Sequence, residues 1–262
     1  MSFLSPKEIA DTVVEASKKK ASLNFIQLLL LGILAGVYIG FGAELYTMVS
    51  HDLSKYLGVG FSKFLGGSVF SVGLMLVVIG GAELFTGNNL MFMSVLSGNA
   101  KLSDMLLKWV LVYIANFIGS MLIVWMMYNT GLVSGGVADK AIAIARAKVH
   151  LAFAPAFFRA ILCNWLVCLA VWLAIASHDI TGKIWGIFFP IMAFVSSGFE
   201  HSIANMYFIP IGMFLDKTHS ITWGGFFHNL IPVTLGNIIG GAFFVATLYY
   251  YVYIKCNIDT KK

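Results

Sequence analysis

Charged side chains are scarce in this sequence. Asp, Glu, Lys and Arg make up 11% of 262 residues, against roughly a quarter in an ordinary soluble domain. That scarcity excludes a chain that faces water over most of its surface; with 59% hydrophobic residues, the bilayer is its solvent. Cysteine is nearly absent. Cys163, Cys168 and Cys256 form no CxxC pair, so neither a disulfide framework nor a metal site is implied, and no cofactor is expected. None of the five prolines lies in an Asn-Pro-Ala motif, which removes the signature of a water or glycerol channel. There is also no HExxH motif, nucleophile elbow or cluster of metal ligands. A membrane enzyme would have to rest on Glu200 and His201 alone.

The net charge is +5. Its Lys and Arg sit in the gaps between apolar runs, where they read as topogenic and anion-attracting, with no nucleic-acid partner implied. Charge-free stretches at 21–43, 64–82, 84–100, 109–138, 160–177, 184–199 and 220–254 supply the roughly 20 apolar residues that each crossing needs. The Lys18-Lys19-Lys20 cluster precedes a stretch too long for a signal peptide, and no small-residue cleavage site closes it, so an uncleaved first span is expected. Upstream, Ser5-Pro6-Lys7-Glu8 forms a capping box with Pro at the first helical position. Ile9, Val13 and Ala16 then share a face, predicting an amphipathic helix over 1–20 on the membrane surface.

Two stretches are too long for one crossing and too short for two. Phe64 to Ala100 is interrupted around Gly80-Gly81-Ala82-Glu83-Leu84-Phe85-Thr86-Gly87-Asn88-Asn89, where glycines and paired asparagines break a helix. Ile184 to Leu215 repeats the arrangement around Ser196-Ser197-Gly198-Phe199-Glu200-His201. Non-helical backbone at membrane depth is tolerated only inside protein or along a watery cavity, so both breaks point to a pore. Asn116-Phe117-Ile118-Gly119-Ser120 recurs 121 positions on as Asn237-Ile238-Ile239-Gly240-Gly241, and the breaks are offset by about 115.

The expected fold is therefore an all-α membrane protein with six transmembrane helices in a 3+3 inverted repeat, the second and fifth being broken. A single domain over 1–262 is expected, divided into halves at 21–138 and 160–262 by a basic exported loop at 139–159. Ten basic residues lie on the side of the termini and seven on the other, which places the termini in the cytoplasm and the chain in the cell's inner membrane.

Polar groups inside spans single out Glu44, Glu83, Glu200, His201 and His228. Glu83 and Glu200 stand at corresponding places and are expected to accept hydrogen bonds from backbone N–H groups freed by the breaks. His201 titrates near neutral pH at a helix break. One reading has it buried and satisfied by a neighbour; the other has it facing a pore and giving an anion a hydrogen bond or a proton, with Thr86 supplying a hydroxyl to the same point. Asn164, Asn205 and Asn237 read as clamps on the broken segments. Phe70, Leu74, Leu84, Phe85 and Phe194 border the breaks, either as packing or as dry constrictions.

Gly81-Ala82-Glu83-Leu84-Phe85-Thr86 and Phe199-Glu200-His201-Ser202-Ile203-Ala204-Asn205-Met206 resemble the formate/nitrite transporter family. So do Leu162-Cys163-Asn164 and Asn229-Leu230-Ile231-Pro232-Val233-Thr234-Leu235-Gly236-Asn237, so that the resemblance covers nearly the whole chain. It implies a homopentamer with an aquaporin-like fold and one anion pore per protomer. Thr86 and His201 would meet at the pore centre between rings of Phe70, Leu74, Leu84 and Phe194, and Lys20 and Lys148 would stand in the two vestibules. Formate, nitrite and hydrosulfide are the implied anions. Gly87-Asn88 after the pore threonine, where formate channels of the family often carry serine, leans toward nitrite or hydrosulfide.

Overall fold

The computed structural model describes residues 3–256, so Lys261 and Lys262 of the basic count lie outside the described residues. Helix α1 (Pro6–Ser22) opens with the expected capping box: Ser5 Oγ accepts from Glu8 N, and Glu8 Oε2 accepts from Ser5 N at 2.7 Å. Its apolar face does not lie on a membrane surface. Ile9, Ala10, Val13 and Val14 are buried against Leu90, Met93, Trp172, Val245 and Ala246, because an apolar stripe gains as much from protein as from lipid when a matching groove is available.

Among the described residues six helical stretches are long and apolar enough to cross a membrane. The first is α2 (Phe25–Ser50). At a rise of about 1.5 Å per residue it spans roughly 39 Å, more than the hydrocarbon core requires. The second combines α3 (Leu53–Phe70) with α4 (Val72–Gly80), and so begins earlier than the apolar run. It stops at Gly81, whose φ of 83° closes the helix in the left-handed region. The chain resumes as α5 (Phe85–Asn88) and, after a short 3₁₀ turn, α6 (Phe92–Leu96). Helix α7 (Leu102–Thr130) follows.

The 139–159 stretch is no open loop. Gly135–Val149 forms helix α8, with Ala141 and Ala145 buried against α11. Helix α9 (Phe153–Ala176) and the broken pair α10 (Ile180–Ser197) and α11 (Ser202–Leu215) come next, Gly198 closing α10 at φ 77°. The last span begins as α12 (Trp223–Ile238) and widens to π-helical turns from Ile239.

The same contacts occur twice. Asn116 Oδ1 accepts from Phe85 N at 3.0 Å, while its Nδ2 donates to the carbonyls of Glu83 and Gly32 at 2.9 and 2.8 Å. Asn237 Oδ1 accepts from Ser202 N at 2.9 Å, while its Nδ2 donates to the carbonyls of Glu200 and Ala160 at 3.0 and 2.9 Å. Each break thus has its freed backbone groups satisfied by one asparagine from a neighbouring span, as membrane depth demands. Close approach is repeated too. A side chain on Gly119 would overlap the carbonyl of Ile33, and one on Gly240 that of Ile161, so α7 against α2 and the last span against α9 require glycine at these crossings.

By this register α1 corresponds to α8, Leu31 to Arg159, Glu83 to Glu200, Leu84 to His201 and Asn88 to Asn205. Alone among the described residues, Phe3 and Ser177 form a β-bridge.

Candidate functional site

The two breaks bring their first residues together. Thr86 Oγ1 lies 2.9 Å from His201 Nε2, with both residues buried. His201 caps its own half-helix: Nδ1 accepts from Ala204 N at 3.1 Å. An Nδ1 that accepts carries no hydrogen, so the neutral ring bears its proton on Nε2 and donates to the Thr86 hydroxyl. That hydroxyl keeps its own hydrogen for another acceptor. Asn164 Nδ2 donates to the Thr86 carbonyl at 3.2 Å and to Asn237 O at 2.7 Å, holding the two breaks in register.

Two cavities lie at the breaks, and His201 lines the second. The first, about 410 Å³, is lined by Leu74, Leu84, Glu83, Lys20 and residues of α1. The second, about 220 Å³, is lined by Phe70, Phe194, Glu200, His201, Lys148 and Arg159. Leu74 and Phe70 stand about one helical turn apart on the second span, so little more than a turn of apolar wall separates the chambers. Phe70 meets Phe194 edge-on with ring centroids at 5.8 Å, and Phe194 stacks on the His201 ring at 6.0 Å. Phe85 is different. It packs on Tyr113 and Trp109 at 4.8 and 6.0 Å and lines neither cavity, because the first turn of α5 points it at α7.

The carboxylates do not take the freed backbone N–H groups, since Asn116 and Asn237 have them. Glu83 Oε2 instead accepts from Lys20 Nζ at 3.0 Å and Asn88 Nδ2 at 2.8 Å, while Lys20 also reaches Asn88 Oδ1 at 2.7 Å. Glu200 receives Lys148 Nζ on both oxygens at 3.0 Å and Asn205 Nδ2 at 2.7 Å. Asn205 continues to Asn229, whose Nδ2 returns to the carbonyl of Lys148 at 3.0 Å. Lys20, rather than Lys18 or Lys19, is the lysine tied to the break; Lys18 pairs with Glu15. Each lysine is thus held in its cavity by a buried acid that itself accepts from a buried amide.

Asn88, Asn229 and Asn116 were not singled out as site residues, although the Asn116/Asn237 echo and the paired asparagines after Thr86 carried the signal. Among the described residues Glu44 has no hydrogen-bond or ion-pair partner, and it lies away from both cavities, beside Thr47, Tyr207 and Val137.

A sequence model of the formate/nitrite transporter family matches residues 7–251. The chain belongs to the formate/nitrite transporter family. Its members are channels and transporters, so the enzyme alternative on Glu200 and His201 falls away. A probable formate transporter of Methanothermobacter thermautotrophicus is 46% identical, over 97% of this chain and 98% of its own length. The formate channel BtFdhC of Bacillus thuringiensis is 40% identical over the full length of both. Among solved structures, a pentameric formate channel with formate bound superposes with a TM-score of 0.80 at 36% identity, covering 88% of this chain and 98% of that one. The chain is accordingly a multi-pass membrane protein of this transporter family, all-helical and with six spans.

Proposed function

We propose that the protein conducts small monovalent conjugate bases of weak acids across the inner membrane, and that it does so as a homopentamer with one pore per protomer. The observation that carries this reading is the buried Thr86–His201 hydrogen bond: His201 lines one of two cation-bearing cavities beside Phe70 and Phe194, and Leu74 and Leu84 line the other. The pentamer is supported by the solved relative, a pentameric formate channel with formate bound.

An anion entering either apolar wall loses water, and desolvation drives a weak acid toward its neutral form. Lys20 and Lys148 concentrate the anion, the walls strip it, and the Thr86 hydroxyl, oriented by His201, donates to it at the midpoint. The substrate crosses neutral or nearly so. Because Nδ1 of His201 already accepts the Ala204 N–H, water rather than the imidazole serves as the proton source. Relatives named for formate make formate the first anion to test; Gly87-Asn88 keeps nitrite and hydrosulfide beside it.

The repeat is read as inverted, since three spans per half reverse its orientation. The boundary falls before α8, so that α1 opens one half and α8 the other. Both termini are cytoplasmic, following the basic count.

Uptake of labelled formate into proteoliposomes tests the reading. Wild-type protein gives saturable uptake that rises as the outside is acidified, and His201→Phe abolishes most of it. Unchanged uptake and pH dependence in His201→Phe would remove the polar centre from the mechanism.

A further inference from the structure

The two cavities are built from matching positions, but one match is chemically unequal. Leu31 lines the first cavity and Arg159 the second. Their backbones do the same work: the carbonyl of Leu31 accepts from Glu83 N at 3.2 Å, and that of Arg159 accepts from Glu200 N at 3.4 Å. A leucine suffices for that bond, so the guanidinium is not needed to build the break. It is exposed and, among the described residues, has no carboxylate within 4.0 Å, whereas the neighbouring Lys148 is engaged by Glu200. The second cavity therefore holds one cation already paired and one whose donors are all available.

A guanidinium presents its N–H groups as a planar fork, which matches two oxygens of a planar oxyanion and gains nothing comparable from a monatomic anion. We propose that Arg159 is a specificity-determining docking site at the mouth of the second cavity, taking planar oxyanions such as carboxylates or nitrite in a bidentate pair before they reach the apolar wall. This rests on the anion-conducting reading above. The site acts on capture and not on passage, because Arg159 is exposed where it lines the cavity, whereas Phe194 and His201 are buried.

The test uses the full-length protein in proteoliposomes, with formate uptake measured against concentration and with nitrite and chloride as competitors. Arg159→Leu installs the residue that the other half already carries. It raises the half-saturating formate concentration and the competing nitrite concentration by about two- to fivefold, the range of an exposed pair, and leaves maximal uptake unchanged. Arg159→Lys keeps the charge without the fork: chloride competes as in wild type, while formate and nitrite stay weakened. If Arg159→Lys matches wild type toward formate and nitrite, or Arg159→Leu leaves half-saturation unchanged, the docking site is refuted. Should Arg159→Leu fail to fold, as judged by its elution in detergent, the lysine variant alone decides. Wild-type protein that carries no formate or nitrite would overturn the conducting reading itself. Active wild type with unaltered variants overturns only this inference.

Discussion

The two halves share their wiring and differ in what the wiring holds. In each, a lysine from a short helix reaches a glutamate at a helix break, an asparagine five residues later joins them, and a second asparagine clamps the break. Yet the position that is Leu84 in one half is His201 in the other, Leu31 faces Arg159, and Lys20 is 33% exposed where Lys148 is 14%. Positions alike in both halves answer to a common need, the satisfaction of broken backbone inside a membrane. Positions that differ, such as Leu84 against His201, have no such need to meet.

Exchanging or removing residues between halves sharpens this comparison, and the clamps are expected to show the largest effect. Asn237→Leu takes their side-chain partner from the buried Ser202 N–H and the Glu200 carbonyl, at about 1–3 kcal/mol each. It and Asn116→Leu should both lower the yield of folded protein sharply and to a similar degree, measured by monodisperse elution in detergent. A strong inequality would break the equivalence of the halves.

Next comes the centre. His201→Leu, which copies Leu84, removes the donor to Thr86 and the helix cap. Formate flux should fall by about 10- to 100-fold, the equivalent of the roughly 1.5–3 kcal/mol carried by a strong hydrogen bond. The thermal midpoint should drop by the effect of about 1 kcal/mol for the lost cap. His201→Asn restores the cap and the midpoint without restoring flux. The converse exchange, Leu84→His, should leave the polar centre working.

The acids are equally buried and differ in the exposure of their lysines. Glu200→Leu strands the more buried lysine and should destabilise by about 3–5 kcal/mol; Glu83→Leu should destabilise less, because Lys20 retains water. Thermal unfolding in detergent ranks the two, and equal losses would contradict the exposure difference.

The smallest effect lies outside the membrane. Asp216 follows α11 and is held well below the usual carboxylate range, first by the Thr218 hydroxyl and then by Ser220 and backbone N–H groups. A depressed folded value stabilises above the unfolded one, so this contribution is full above about pH 4 and is lost as pH falls below it. Asp216→Asn copies Asn99 of the other half and should flatten the acid limb of a stability-against-pH profile.

Much of this was legible beforehand. Apolar run length marked the spans, and Gly81 and Gly198 marked the breaks, because a residue in the left-handed region must end a helix wherever the rest of the chain lies. Ser5 and Glu8 announced their cap across three residues. The family resemblance set Thr86 against His201, and the two stand 2.9 Å apart. Two readings failed for want of partners, and an open choice for Phe85 closed on packing. The stripe of Ile9, Val13 and Ala16 looks the same whether lipid or protein covers it, and only Trp172 and Val245 arriving from elsewhere decided the matter. Phe85 borders a break in sequence but turns toward aromatics on α7. The acids' partners, Lys20 and Lys148, lie 63 and 52 residues away.

The sequence alone determined that the chain lives in a bilayer, that two of its spans are broken and which polar residues sit at the breaks, since hydropathy, glycine conformation and capping act over a few neighbouring residues. Only the tertiary structure decided that α1 and α8 are counterparts, that asparagines rather than carboxylates satisfy the breaks, and that Arg159 stands where the other half has Leu31. Those are pairings between distant segments, and which groups meet depends on how closely the glycine-lined helices approach.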